Sequence, residues 1–381
     1  MSGAGEVLMV SAINSAIAVE VIHKNKPRII GGKLAADATL SRGKEPCELA
    51  DFKVGEQVEI RWKMAGRHKE IVAIAGDDPA PDQASARISV ATESKQAPKI
   101  GKPETATTTE RQFALTPTTE MIGPERYHVV GNKETLLDIA RRYDLGYNEI
   151  RDMYPDLDPW VPAAGSRLLM PTQRILPDGR RQGIVINVPE MRLYYYRGSG
   201  QKAEVISHPV GIGDTDFQTE PGKYTIGNKA IDPTWYIPAS LRQKYQVTSI
   251  PPGPDNPLGK YWLGLKNTSY GIHGSDIPWS VGRKVTHGCI RMYPEDISEL
   301  FKIVPVGTPV EIVYEPVKIA KIGADLYIEV HNDIYSTQPD LAAYARERID
   351  EKGLWLEVDK RKFEKAIERR RGIPEKISFG S

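Results

Sequence analysis

The run Thr286-His287-Gly288-Cys289-Ile290-Arg291-Met292, with Gly271-Ile272-His273-Gly274 ahead of it, constrains this chain more than any other feature. It places one cysteine in a turn of small and polar residues, with one histidine two residues before it and another sixteen before it. A thiol attacks only as a thiolate, so it needs a neighbouring imidazole or backbone N–H donors to bring its pKa down from about 8.5. Glycines beside both histidines let the backbone approach a substrate closely and turn its amides toward a developing oxyanion. Any fold built on this run has to bring both histidine segments within reach of one sulfur.

The chain has only two cysteines, Cys47 and Cys289, in 381 residues. A lone cysteine is ordinarily a small buried hydrophobe. Cys47 fits that description, between Lys44-Glu45-Pro46 and Glu48, with nothing around it that would activate a nucleophile. Cys289 does not, because its neighbourhood is too polar for a core strand. A metal reading would take His273, His287 and Cys289 as ligands. His-x-Cys is an uncommon zinc spacing, however, and no carboxylate or second cysteine completes it. No metal and no cofactor is therefore expected. In papain-like and NlpC-type cysteine peptidases the cysteine precedes its histidine. Here the well-placed histidines precede Cys289. Only His331 follows, in Glu329-Val330-His331-Asn332-Asp333, which reads as a solvated turn. Chain order lowers that alternative without excluding it, since triads are defined by geometry.

Tyr270-Gly271-Ile272-His273-Gly274 followed by Thr286-His287-Gly288-Cys289-Ile290-Arg291 resembles the catalytic signature of the L,D-transpeptidases, cysteine enzymes that remodel bacterial peptidoglycan. The resemblance covers about 182–315. It includes the strand opening at Gly183-Ile184-Val185-Ile186-Asn187-Val188, then Pro209-Val210-Gly211-Ile212-Gly213, then Thr219-Glu220-Pro221-Gly222-Lys223-Tyr224. Glu220 ahead of Pro221 departs from the family's usual Thr-Pro-x-Gly. The resemblance implies two-step acyl transfer on the tetrapeptide stem. Cys289 would be the nucleophile, His273 the general base, the Gly274 carbonyl the group that orients His273, and the Gly288 backbone part of an oxyanion hole. Tyr270, Ser275, Thr286, His287 and Arg291 would contact substrate, and Arg291 could equally be structural, paired with an acidic side chain. The implied product is a 3-3 cross-link with release of D-alanine. Hydrolysis by an L,D-carboxypeptidase, attachment to another amine, or a non-catalytic wall-binding scaffold are the alternatives.

Upstream, Tyr127 to Ile150 reads as strand, cap, helix, turn, helix. Leu136, Ile139, Ala140 and Tyr143 form an apolar helical stripe, and Gly146 stands where a C-terminal cap is expected. Val161 to Pro171 adds a turn and a second strand. This βααβ unit resembles a lysin-motif (LysM) domain, which implies binding to peptidoglycan glycan.

The expected architecture is multidomain and mainly β. Residues 1–76, with short alternating stretches punctuated by Gly31-Gly32 and Gly55, suggest a small β-barrel or sandwich of unknown role. Residues 77–125 read as a linker rich in Pro, Ala, Thr and Ser. Residues 126–172 are the LysM unit and 182–315 the catalytic domain, with a helix at about 294–303. Residues 316–381 form a C-terminal α/β accessory segment, with helices at 339–351 and 359–371. Lys360-Arg361-Lys362 and Arg369-Arg370-Arg371 read as a solvated helix face. A net charge of +1 offers no footprint for nucleic acid.

The expected partner is peptidoglycan, which places the enzyme outside the cytoplasm, in the periplasm or at the wall. Yet Met1 to Glu6 carries no positive charge, and Val7 to Val19 is interrupted by Ser11, Asn14 and Ser15. No signal peptide and no integral membrane segment is read from the sequence.

Overall fold

The structure is a computed structural model that describes residues 2–11, 16–23, 26–52, 57–65, 68–76, 111–132, 134–159, 162–238, 242, 247–253, 256–275 and 278–380. It divides into two compact units, one built chiefly from the first 102 residues and one chiefly from residue 103 onward.

In the first unit Gln57–Ala65 alternates cleanly, with Val58, Ile60 and Trp62 buried and Gln57, Glu59, Arg61 and Lys63 exposed. Ser2–Ser11 pairs with Ala16–His23, which pairs with Lys26–Arg42. Lys26–Arg42 runs parallel to His68–Gly76, which returns antiparallel to Gln57–Ala65, and that strand pairs with Ser2–Ser11. The five strands thus close a ring around Val7, Ile17, Val19, Phe52, Ile60, Trp62, Ile71 and Ile74. Partly buried Cys47 packs against this core. Gly31-Gly32 does not punctuate the chain as expected. The pair lies inside Lys26–Arg42, opposite Ala18 and Ile17, where the ladder imposes an extended backbone that the glycines do not themselves prefer. Gly55 lies outside the described residues.

The second unit is organised by a nine-stranded mixed sheet. Its strand order is Ile290–Arg291, Gly271–His273, Tyr261–Leu265, Gly222–Ile231, Pro309–Val313, Gly183–Asn187, Arg192–Arg197, Glu204–Pro209 and Gln112–Ala114. Both faces of its middle are covered. Ile184, Ile186 and Leu193 enter one core with Ile226, Leu263, Ile272, Ile290, Ile297 and Leu300. Val185, Tyr194 and Tyr196 enter another with Leu115, Ile122 and Leu176. Two-sided burial is why Ile184, Val185 and Ile186 run apolar without interruption. The helix Pro294–Ile303 begins with proline in its first turn and carries Glu295 and Asp296 at its positive end.

Residues 111–125 do not belong to a linker. Gln112–Ala114 is the outer strand of the large sheet, paired to Glu204–Pro209, and Met121–Ile122 pairs with Arg174–Ile175. The sequence hid this because a three-residue strand carries too little pattern to stand out from a Thr- and Pro-rich stretch. Residues 77–110 of the expected linker lie outside the described residues.

Arg126–Val129 and Arg167–Met170 pair antiparallel, with helices Leu136–Arg142 and Tyr147–Met153 between them in the chain. The stripe of Leu136, Ile139 and Ala140 is buried. Gly146 does not cap the first helix. Asp144, at φ +53, takes the left-handed turn after it, and Gly146 precedes the second helix, its N–H donating to Glu149. This segment is joined to the large sheet by buried charge: Arg192 donates to Glu149 at 3.1 Å, and Arg111, which is also 2.8 Å from Asp296 on the helix Pro294–Ile303, lies 3.5 Å from Asp144. Beyond it, Val317–Ile322, Asp325–Val330 and Pro374–Lys376 form a small sheet backed by helices Leu341–Glu351 and Lys360–Arg369, capped by Asp340 and Asp359. Lys360, Arg361, Arg369 and Arg370 are exposed. Among the described residues no helix is long and apolar enough to cross a membrane.

Candidate functional site

Ile272 pairs with Ile290 and His273 with Arg291 in a parallel register at one end of the sheet. Both isoleucines are buried in the core, so the pleat turns Gly271, His273, Cys289 and Arg291 to the opposite face. Cys289 directly precedes the strand Ile290–Arg291, so it stands at the same end of the sheet as His273 on the neighbouring strand. Trp262, across the antiparallel ladder from His273, stacks its ring 5.9 Å from the imidazole at 25°. The same indole covers Gly271, where a Cβ would stand 2.5 Å from a ring carbon. Gly288, at φ +95, takes a backbone conformation that a side chain strains, and a Cβ there would meet the Tyr270 ring at 2.5 Å.

The imidazole has a fixed tautomer. His273 Nδ1 lies 2.7 Å from the Gly274 carbonyl, which can only accept, so Nδ1 carries the proton and Nε2 keeps its lone pair. Burial, aided by the Arg291 charge, holds this imidazole down to about 3, against the pull of the Gly274 and Leu258 carbonyls. Packing pushes the partly exposed Cys289 thiol up to about 11, although the Gly271 N–H and the Arg291 charge pull the other way. The lowered thiol pKa expected from the motif is therefore absent at rest. Desolvation outweighs the donors, and the resting pair is neutral thiol and neutral imidazole.

Two threonines fix the turn around the sulfur. The Thr286 hydroxyl donates to the Cys289 carbonyl at 2.6 Å. The Thr219 hydroxyl donates to the Gly288 carbonyl at 3.2 Å and accepts the Gly213 N–H at 2.9 Å. Arg291 and Ser275 are buried, and the Arg291 guanidinium donates to Ser280 at 3.1 Å, with Ser275 3.4 Å from the same hydroxyl. His287 is partly exposed on the outer side, its ring 4.7 Å from Phe217, which is itself 42% exposed. Every candidate residue is thus gathered at this end of the sheet. Thr219, Phe217, Trp262 and Ser280 join them from distant segments; Thr219 opens a segment already read as part of the resemblance, and nothing in the local sequence marks the other three.

His331 is not in a solvated turn. It is buried, with Nε2 2.8 Å from Glu329, because the acidic run folds inward onto Lys318. Among the described residues two sets of histidine and carboxylate atoms converge within 4.8 Å, Asp144–His208–Asp296 and Glu190–Glu329–His331. His273, His287 and Cys289 form no such set. Basic side chains already occupy both clusters: Arg111 and Arg192 flank the first, and Lys318 sits 2.9 Å from Glu190 and 2.8 Å from Glu329 in the second. These are charge networks more than cation sites.

The model of the L,D-transpeptidase catalytic domain matches residues 181–312. The chain is 34% identical over 263 residues to the probable L,D-transpeptidase ErfK/SrfK of Salmonella typhimurium, covering 65% of this chain and 84% of that protein. It is 37% identical to the probable L,D-transpeptidase YcfS of Escherichia coli, covering 56% and 70%, and 39% identical to YbiS of the same organism, covering 55% and 70%. With the histidine–cysteine pair on one face of the sheet and relatives matched over more than two thirds of their length, the chain belongs to the L,D-transpeptidase family.

Proposed function

We propose that Cys289 is the nucleophile and His273 the general base of an acyl transfer on peptidoglycan tetrapeptide stems. The observation that carries this reading is the Nδ1–H bond to Gly274, which leaves Nε2 as the only imidazole nitrogen able to take the thiol proton. Nε2 removes that proton as sulfur attacks the carbonyl of the third residue of the stem, at its L-centre. The C–N bond to the terminal D-alanine then breaks, and the imidazolium returns the proton to the leaving amine. The side-chain amine of a second stem opens the thioester, gives a proton to His273 and forms the 3-3 cross-link, while sulfur is reprotonated. Water in place of the amine would make the enzyme an L,D-carboxypeptidase. Because the resting pair is neutral, proton transfer accompanies attack.

The amides of Gly288 and Cys289 are the proposed oxyanion donors. Thr286 and Ser275 hold the surrounding backbone and floor, and His287 and Tyr270 line the substrate side. The buried position of Arg291 favours its structural role. The βααβ segment 126–172 is proposed to contact glycan, and the enzyme to act outside the cytoplasm. Cys289→Ala is expected to abolish D-alanine release and cross-link formation from disaccharide-tetrapeptide, with Cys47→Ala within twofold of wild type by product mass spectrometry. Substantial turnover by Cys289→Ala would sink the mechanism.

A further inference from the structure

A side chain from beyond the matched catalytic domain reaches the segment that holds the turn 286–289. Tyr335 is buried, and its hydroxyl donates to the Gly213 carbonyl at 2.7 Å and accepts the Thr219 N–H at 3.2 Å. Thr219 in turn accepts the Gly213 N–H and donates to the Gly288 carbonyl. The Gly288 carbonyl and the Cys289 N–H belong to one planar trans peptide and point in opposite directions. Holding that carbonyl therefore aims that N–H. Tyr335 is itself held from several sides. Its N–H donates to the Tyr314 hydroxyl at 2.9 Å, the two rings stack at 5.9 Å, and Lys284 Nζ donates to the neighbouring Ile334 carbonyl at 2.8 Å. Asp333 accepts the N–H groups of Thr337 and Gln338, which folds this stretch into a fixed turn.

We infer that Tyr335, acting through Thr219, is a positioning residue that sets the direction of the Cys289 N–H, so that the segment after the catalytic domain helps build the oxyanion site. The inference rests on the reading of Cys289 as nucleophile. A group that only aims a donor affects the step in which negative charge develops on the substrate oxygen. It should leave substrate affinity and intrinsic thiol reactivity nearly unchanged.

The test compares Tyr335→Phe and Thr219→Val with wild type and with Thr219→Ser, which restores the hydroxyl. D-alanine release is followed over a substrate range, and Cys289 alkylation by iodoacetamide is measured alongside. Tyr335→Phe keeps the ring, and the expected result is a kcat lower by roughly tenfold, with KM and alkylation rate within about twofold. Thr219→Val should lose more, Thr219→Ser should recover most of it, and adding Tyr335→Phe to Thr219→Val should cost little further because both act on one carbonyl. The inference is overturned if Tyr335→Phe and Thr219→Val turn over within twofold of wild type. It is also overturned if alkylation falls in step with kcat, or if Thr219→Ser behaves like Thr219→Val. Cys289→Ala run in parallel separates the two readings. An active Cys289→Ala enzyme refutes the nucleophile assignment, whereas an inactive one beside a fully active Tyr335→Phe refutes the relay alone.

Discussion

A buried imidazole held near 3 and a thiol raised to about 11 leave the same pair of protonation states across the whole working range. The expected outcome is a kcat/KM that stays level between pH 5 and 9, measured by D-alanine release. Iodoacetamide, which needs preformed thiolate, should instead react faster by about tenfold per pH unit over that interval. A bell-shaped turnover profile centred near 7 would show that the resting pair is ionised. His273→Ala should lose turnover at least about a hundredfold at every pH, and His287→Ala far less, because the Nδ1–H of His273 is tied to the Gly274 carbonyl and leaves its Nε2 to act as base. At this scale the cysteine, both histidines and their glycines were legible, because residue type and short spacings along the chain mark them. The resting pKa values were not legible, since desolvation depends on Trp262 and on packing assembled from elsewhere.

Among the elements, the turn 286–289 depends on a glycine at its third position. Gly288→Ala would meet both a left-handed backbone and the Tyr270 ring 2.5 Å away. The backbone term alone costs about 1–2 kcal/mol. We expect kcat/KM to fall about a hundredfold, and Gly288→Ala with Tyr270→Ala to regain part of the loss by relieving the clash but not the strain. Full activity in the single variant would mean that this turn relaxes freely. The helix Pro294–Ile303 and the apolar stripe at 136–140 were readable because an N-terminal proline and a helical period are local signals. The strand at Gln112–Ala114 was not, since its identity comes from pairing with Glu204–Pro209.

Across the second unit, a network of buried charge ties 126–172 to the sheet. Removal of this segment would strand Arg192 without Glu149, and Arg111 and His208 without Asp144. Breaking one buried pair costs about 3–5 kcal/mol, so deletion of 126–172 should lower the melting temperature by about 10 °C or more. A drop under 3 °C in calorimetry would show an independent module. His208 adds a pH signature. Burial lowers its pKa, yet Asp296 and Asp144, which also pair with Arg111, raise it to about 9. A group raised in the folded state stabilises fully below its unfolded pKa of about 6.5 and loses that contribution as pH climbs through 9. Stability to urea should therefore decline between pH 6.5 and 9 by on the order of 3 kcal/mol, and His208→Asn should flatten the decline. An equally steep decline in that variant would assign the effect elsewhere.

From the sequence alone came the cysteine, its two candidate histidine partners, the helix that follows them and, through the likeness of the motif, the family. The first three follow from residue types and spacings along one chain, and the family from the resemblance of the motif. Tertiary structure decided which face of the sheet the pair shares and that the pair rests uncharged. It also buried His331, paired the segment 111–125 into sheets, and brought Tyr335 to Gly213 and Thr219, more than a hundred residues before it. Those outcomes depend on burial and on hydrogen bonds between distant segments, and neither leaves a periodic trace in sequence.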